Sequence, residues 1–443
     1  MTVAVTNGTV VTVDDASTVL PDAWVLVAAD RIEAVGTGAP PHADETIDAS
    51  GCAVMPGMTN GHTHLFQTFF RGLGDDKSLL DWLHDYIWPG ATFLTADDIR
   101  LAATVGLAEN LLSGVTSVID HQYIHADRAS SAAVCRVADQ LGIRLTLAYG
   151  WADRNYHEPL KLTAAEAIAE AGALREAWAT HPRIDVGLAP LIPWGCSDEA
   201  MTATVAAARR WGAPLHTHCA ETEIEVTMSL DERGLRHVPW LASHGCLGPD
   251  VTLAHSVWLD DAELDEIAAT GSVVVHNPVS NMYLASGVAR VPEMRERGIT
   301  VALASDGPGS NNRQDLFEVM KTAVLLQKVH HLNPVILQPE HVLHMACRGG
   351  AAATQQSADR GMIAPGQLAD LAIVNLRSPF VAPVHRVASA LVFNCTPRDV
   401  RHVLVGGEVV VADGRLTRLD LDATLIEAGA ACTQLFRRAG LSA

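Results

Sequence analysis

The sequence predicts an α/β fold, a (β/α)8 TIM-like barrel with a small β-sandwich domain built from both chain ends. Three features predict it. From about Pro56 to about Arg360, short apolar runs alternate with segments of helical periodicity, giving eight strands and their crossovers. Both flanks instead show short strands punctuated by Gly, Asp and Asn, the texture of β-hairpins. Several apolar runs of the middle region end in His, Glu or Asp, and strand C-termini are where such a barrel carries its chemistry. The expected units are residues 1–56 and 365–443 for the small domain, the latter including a terminal helix, and residues 57–364 for the barrel.

In order, VAVTNGTVVTV, AWVLVAADRIEAVG and the TIDASGCAVMPG turn form the first flank, and the first barrel strand ends in GHTHL. Thr95 caps a helix whose apolar positions Ile99, Ala102, Ala103, Gly106, Leu107 and Leu111 keep a 3.6 period, with Asp98 at the third helical position and Gly114 as the stop. Strand VTSVID, a helix from Arg128 to Leu141, strand IRLTLAYG, a helix from Thr163 to Ala179, strand RIDVGLAP and a helix from Ser197 to Trp211 follow. Next come APLHTHC, a helix near Glu221 to Arg233, VTLAHS, a helix from Asp260 to Thr270, SVVVHNP, a short helix near Pro292 and ITVALASDG. The β texture returns at GMIAPGQLADLAIVNL and VRHVLVGGEVVVADGRL.

Composition narrows the function classes. With 31 Lys+Arg against 51 Asp+Glu the net charge is −20, which opposes a nucleic-acid or anionic-membrane partner. Hydrophobic residues make up 48% and charged ones 19%, so a large core is expected. No apolar run is long enough to span a bilayer, and MTVAVTNGTVVTVDD lacks a basic leader, so a cytoplasmic protein is expected. Eight scattered cysteines without a C-x-x-C pair read as buried thiols.

The 20 histidines matter more. His62 and His64, two apart at the end of a strand, turn to the same face and into the barrel mouth. LHTHCAE adds His216, His218 and Glu221, LAHS adds His255, and ASDG adds Asp306. Imidazoles with a carboxylate at strand ends suit a borderline-soft ion such as Zn²⁺ or Fe²⁺, with one position left for water.

PGMTNGHTHL, RGLGDDKSLLDWLHDYIWP, HTHCAETEIEV, LAHSVWL, HNPVSNMYLASG and SDGPGSNN, with the late PGQLADLAIV, stand in an order and spacing that resembles the amidohydrolase superfamily, in its chlorohydrolase/deaminase branch. The branch includes triazine hydrolases and methylthioadenosine/S-adenosylhomocysteine deaminases. The resemblance implies His62, His64, His218 and Asp306 as metal ligands, Glu221, His255 and Asp306 as the catalytic groups, and His216 as support. No lysine occurs between Lys161 and Lys321, so the bridging lysine of two-metal relatives is missing and one divalent ion per subunit is expected, zinc first and iron second. The implied reaction is hydrolytic deamination of an amino-substituted nitrogen heteroaromatic ring with release of ammonia. The metal would make water acidic enough to attack, His255 and Asp306 would hold that water, and Glu221 would pass a proton to the ring nitrogen. Halide or alkylamine displacement from a triazine, a methylthioadenosine/S-adenosylhomocysteine deaminase and a silent binding protein are the alternatives. Homo-oligomerisation is implied by the resemblance alone.

Gln67, Trp82, Trp88, Tyr123 and Trp194 lie where rings and an amide could meet a flat substrate, although each aromatic alone also reads as loop packing. Ser310 reads equally as a substrate contact or a helix cap. His121 and His276 end strands and stay outside the ligand set. Nucleoside deaminases of the branch carry a glutamate shortly after the Trp-Pro pair, where this chain has Gly90-Ala91-Thr92, and a histidine after the fourth strand, where it reads Leu191-Ile192-Pro193-Trp194. Tyr149 stands near the place of an arginine that meets a homocysteine carboxylate. These departures favour a bare heteroaromatic ring.

Overall fold

A computed structural model describes residues 1–441. Eight parallel strands form the barrel: β1 (Met58–Thr63), β2 (Val115–Gln122), β3 (Arg144–Trp151), β4 (Ile184–Pro190), β5 (Leu215–Cys219), β6 (Val251–His255), β7 (Val273–His276) and β8 (Val301–Leu303). They pair in sequence order, and the Asp306 amide, just past β8, donates to His62 O at 3.0 Å, tying the last strand end to the first. The pairing sets the level of the site, since Cys219 lies beside His255 and His218 beside Ala254.

The crossover helices begin where side chains can satisfy their first amides. Thr95 and Asp98 form a reciprocal capping box at the helix Ala96–Leu112, and Thr163 and Glu166 form one at Ala164–Trp178. Ser197 and Asp260 cap the helices Asp198–Trp211 and Asp261–Thr270. The connection after β1, read from sequence as a long loop, is mostly helical. It runs without a break through Leu79–Trp82, a single π-turn at Leu83–Ile87, and Trp88–Ala91, with Pro89, which has no amide to donate, just after the π-turn.

The small domain is one nine-stranded mixed sheet drawn from both flanks. Its joint is the antiparallel pairing of Cys52–Pro56 with Leu371–Asn375. Both strands are buried on both faces. Val54, Leu371 and Ile373 enter the domain's own core with Val3, Val25 and Leu404, while Ala53, Met55, Ala372 and Val374 pack toward the barrel. The sandwich is a single sheet curled over that core: Ile32 N donates to Gln367 O at 2.8 Å and Ala369 N to Asp30 O at 2.8 Å, so its far hairpin returns to the segment before Leu371. Gly407 sits in this contact at φ 77°, where a Cβ would stand 2.4 Å from Ala29 O.

Arg144 at the start of β3 makes a bidentate pair with Asp370, at 2.7 and 3.0 Å, joining the barrel floor to the sheet. The helix Leu421–Ala439 lies against Ala96–Leu112, with Arg438 paired to Asp98 and Phe436 against Phe70. Among the described residues no helix is long and apolar enough to cross a membrane. All eight cysteines are free thiols, seven buried and Cys432 partly so.

Candidate metal centre and active-site pocket

β1 delivers His62 and His64 to the barrel mouth, β5 delivers His216 and His218, and His255 ends β6. Glu221 and Asp306 follow the ends of β5 and β8. All seven side chains are buried. His255 and Asp306 are held in the left-handed backbone region, at φ 68° and 64°, a conformation that costs on the order of 1–3 kcal/mol for a non-glycine residue. That cost is met because hydrogen bonds pin both: His255 Nδ1 donates to Asn281 Oδ1 at 2.8 Å, and Asp306 Oδ2 accepts from Ser280 Oγ at 2.6 Å and Ser310 Oγ at 2.8 Å.

The Nδ1 partners decide where the lone pairs point. His64 Nδ1 donates to His121 O at 2.8 Å and His218 Nδ1 to Leu191 O at 2.7 Å, so each presents an unprotonated Nε2. His216 Nδ1 donates to Thr252 Oγ1 at 2.5 Å, and the Thr252 hydroxyl donates to Leu215 O at 3.2 Å. His216 Nε2 is then the acceptor for His62 Nδ1–H at 2.7 Å, and His62 Nε2 also carries a lone pair.

These atoms converge. His64 Nε2 stands 3.3 Å from His218 Nε2, and Asp306 Oδ1 stands 3.3 Å from the Nε2 of both His62 and His64. Two imidazole lone pairs facing each other repel unless a cation lies between them, and His62 Nε2 is buried with no hydrogen-bond partner. Two ligands about 2.0–2.1 Å from a tetrahedral Zn²⁺ would stand about 3.3 Å apart. The donor set therefore fits a divalent ion, and His62, His64 and Asp306 form a ligand-like cluster, as do His62, His218 and His255.

The charges agree. Burial keeps His62 below the ordinary histidine range and drives His64 to about 3, with His218 and His216 well below, so these rings are neutral. Burial alone would raise Asp306, but His62, His255 and His64 outweigh it and hold the carboxylate well below its usual range. Burial pushes Glu221 up to about 8. His255 Nε2 lies 3.5 Å from Glu221 and 3.9 Å from Asp306 Oδ2, and these carboxylates overcome its burial and raise it. Glu221 and His255 thus hold a proton between them at neutral pH beside an ionised aspartate.

A cavity open to solvent stands over these groups. Gln67, Trp82, Tyr123, Trp194 and Ser310 line it together with His64, His218, Glu221 and Asp306. Ser310 also fastens Asp306. Gln67 Nε2 donates to Tyr123 OH at 3.3 Å, while Gln67 Oε1 and Trp82 Nε1 are buried without partners. Trp88 is not in the lining. The helical turn carrying it points the indole at Tyr156 and His157, with ring centroids 5.1 and 5.9 Å away. Leu191 lines the cavity, whereas Ala91 is buried in its helix outside the lining.

Tyr156, Glu225 and Leu284 also line the wall and escape the sequence reading. Tyr156 lies in the connection after β3, where an aromatic past a strand end was the available signal. Glu225, at the start of the helix Glu223–Arg233, accepts from Trp194 Nε1 at 2.9 Å, a pairing only the fold reveals. His121 and His276 are fully buried, and neither ring nitrogen of either has a partner.

The amidohydrolase family model matches residues 53–410. The chain belongs to the amidohydrolase family. It is 37% identical over 442 residues to the 5'-deoxyadenosine deaminase of Methanosarcina mazei, covering 98% of this chain and 99% of the relative. It is 38% identical over 424 residues to the 5-methylthioadenosine/S-adenosylhomocysteine deaminase of Nitratidesulfovibrio vulgaris strain Miyazaki F, covering 94% of each. Among solved structures, an adenosine deaminase from Xanthomonas campestris with bound zinc superposes at a TM-score of 0.93, 28% identical over 98% of both chains. A triazine hydrolase from Arthrobacter aurescens superposes at 0.92, 26% identical, over 97% of this amidohydrolase and 99% of that chain.

Proposed function

We propose that this amidohydrolase is a mononuclear metal-dependent deaminase that replaces the exocyclic amino group of an adenine-type ring by oxygen and releases ammonia. One observation carries the reading: His255 Nε2 lies 3.5 Å from Glu221 and 3.9 Å from Asp306 Oδ2, and both carboxyl groups line an aromatic-walled cavity. His62, His64, His218 and Asp306 would hold the ion, and zinc is the metal we propose because the donors are borderline and the Xanthomonas relative carries it. When bound, a divalent ion supplies the Lewis acidity that makes water a nucleophile near neutral pH.

The chain's own residues do the rest. Asp306 Oδ2 and His255 Nε2 orient the attacking water and take its proton. Glu221 delivers a proton to the ring nitrogen beside the attacked carbon, which makes that carbon electrophilic. Proton return from the same groups lets the amino substituent leave as ammonia. Trp82, Tyr123 and Trp194 bound the ring, and Gln67 Oε1 offers it an acceptor.

The relatives that act on 5'-modified adenosines favour such a substrate, while Leu191, an apolar group in the cavity wall, favours a bare ring. Ammonia release by zinc-loaded and iron-loaded protein over adenine, other free bases, 5'-deoxyadenosine, methylthioadenosine, S-adenosylhomocysteine and aminotriazines decides between them. Glu221→Gln is expected to lose about 10²–10⁴-fold in rate while binding the same amount of metal. An unchanged rate in that variant would remove Glu221 from the mechanism. Chloride or alkylamine release without ammonia would favour the second reading, displacement on a triazine, which the likeness to triazine hydrolase supports.

A further inference from the structure

On the barrel floor, at the opposite end from the candidate active site, Arg360 is buried, with 4% of its surface exposed. Its Nε donates to Gln356 Oε1 at 2.7 Å, one terminal nitrogen to Thr59 Oγ1 at 3.3 Å and the other to Thr354 Oγ1. These use three of the five N–H donors of a guanidinium, and every acceptor is neutral. Among the described residues Arg360 makes no ion pair. The nearby Asp370 is already taken by Arg144 in the bidentate pair and by the Gly406 amide at 2.7 Å.

A buried positive charge without a counterion is costly, and it is compensated by pairing or by giving up its proton. Arg360 is drawn down to about 10 by burial, which is still far too high to lose its proton at neutral pH. Asp370 and Asp359 oppose that fall without pairing directly with Arg360, so a counter-charge in contact with it would compensate further, and the space for one exists. Arg360 and Gln356 open onto a polar cavity also lined by Ser117, Thr146, Arg144 and His181. Arg183, at its rim, is turned toward Glu408, and Asp185, its one carboxylate, is engaged by Arg175. Although the chain's net charge is −20, this pocket is lined by Arg144, Arg183, Arg360 and His181 against the single carboxylate of Asp185.

We propose that this floor cavity binds a small inorganic anion, held by the free N–H groups of Arg360 and the hydroxyls of Ser117 and Thr146. The ion would complete a charge cluster joining β1, through Thr59, and β3, through Arg144, to the small domain, through Asp370. Its effect would fall on stability, since no group of the floor cavity also lines the candidate active site.

The test is thermal unfolding of the full-length, metal-loaded protein at constant ionic strength, replacing gluconate stepwise by chloride or by sulfate. The expected result is a saturable rise in Tm of about 2 °C that is absent in Arg360→Met. No saturable rise in the wild type, or an equal rise in Arg360→Met, would overturn the proposal. Should Arg360→Met fail to fold, crystals of the wild type soaked in bromide decide: an anomalous peak beside Arg360 supports the site, and none there refutes it.

Discussion

Thr252 stands two hydrogen bonds from His62, yet it fixes which nitrogen of His62 faces the candidate metal. Its hydroxyl receives the His216 Nδ1 proton, His216 Nε2 receives the His62 Nδ1 proton, and the His62 Nε2 lone pair is aimed by elimination. Thr252→Val keeps the shape and removes the acceptor, so His216 can flip tautomer. Metal affinity is expected to fall about 10–100-fold in a chelator competition, with the fold intact by circular dichroism. Asp120 gives a separate prediction. Burial raises its carboxyl to about 7, opposed only by the Leu65 amide, so the folded chain keeps a proton that the unfolded chain releases near 3.8. The folded state binds more protons across that window, and stability must fall as pH rises through it, by about 4 kcal/mol at most. Asp120→Asn still accepts from Leu65 and cannot ionise. Chemical denaturation is expected to show the variant gaining on the wild type from about pH 4 upward and levelling off above about pH 7.

At the scale of elements, the helix starts were the most legible part of the sequence because each is written in a few adjacent residues. Thr95 with Asp98 is an example, and Thr95→Ala is expected to cost about 1 kcal/mol in urea unfolding with turnover unchanged. The strand ends were legible for a related reason: His62, His64, His218, His255 and Asp306 each interrupt apolar runs at a place where a barrel has no structural use for them. Trp88 was not, because local pattern could not show that the connection after β1 coils into a π-turn and turns this indole away from the cavity. Glu225 was invisible for the same reason, and Tyr156 offered only its position past a strand end, since the place of both in the wall depends on how separate connections meet. Ser310 could be read two ways, and its hydroxyl in fact fastens the Asp306 carboxylate while its ring-side position still faces the cavity.

For the whole molecule, the two domains are held by apolar packing and by one buried ion pair. Removing one partner of such a pair leaves the other charge stranded, so Arg144→Ala is expected to cost about 3–5 kcal/mol, read as a lower unfolding midpoint. Because Arg144 lies at the opposite end of β3 from the cavity, the folded fraction should keep the wild-type kcat. The joint of the small domain also has a consequence for how the chain is made. Cys52–Pro56 finds its partner Leu371–Asn375 only after the barrel between them has emerged from the ribosome. At about 5–20 residues per second, the roughly 300 intervening residues take on the order of 15–60 s. Through that interval an apolar strand edge waits unpaired in the nascent chain, and a chaperone that shields it is expected to raise the yield of soluble protein.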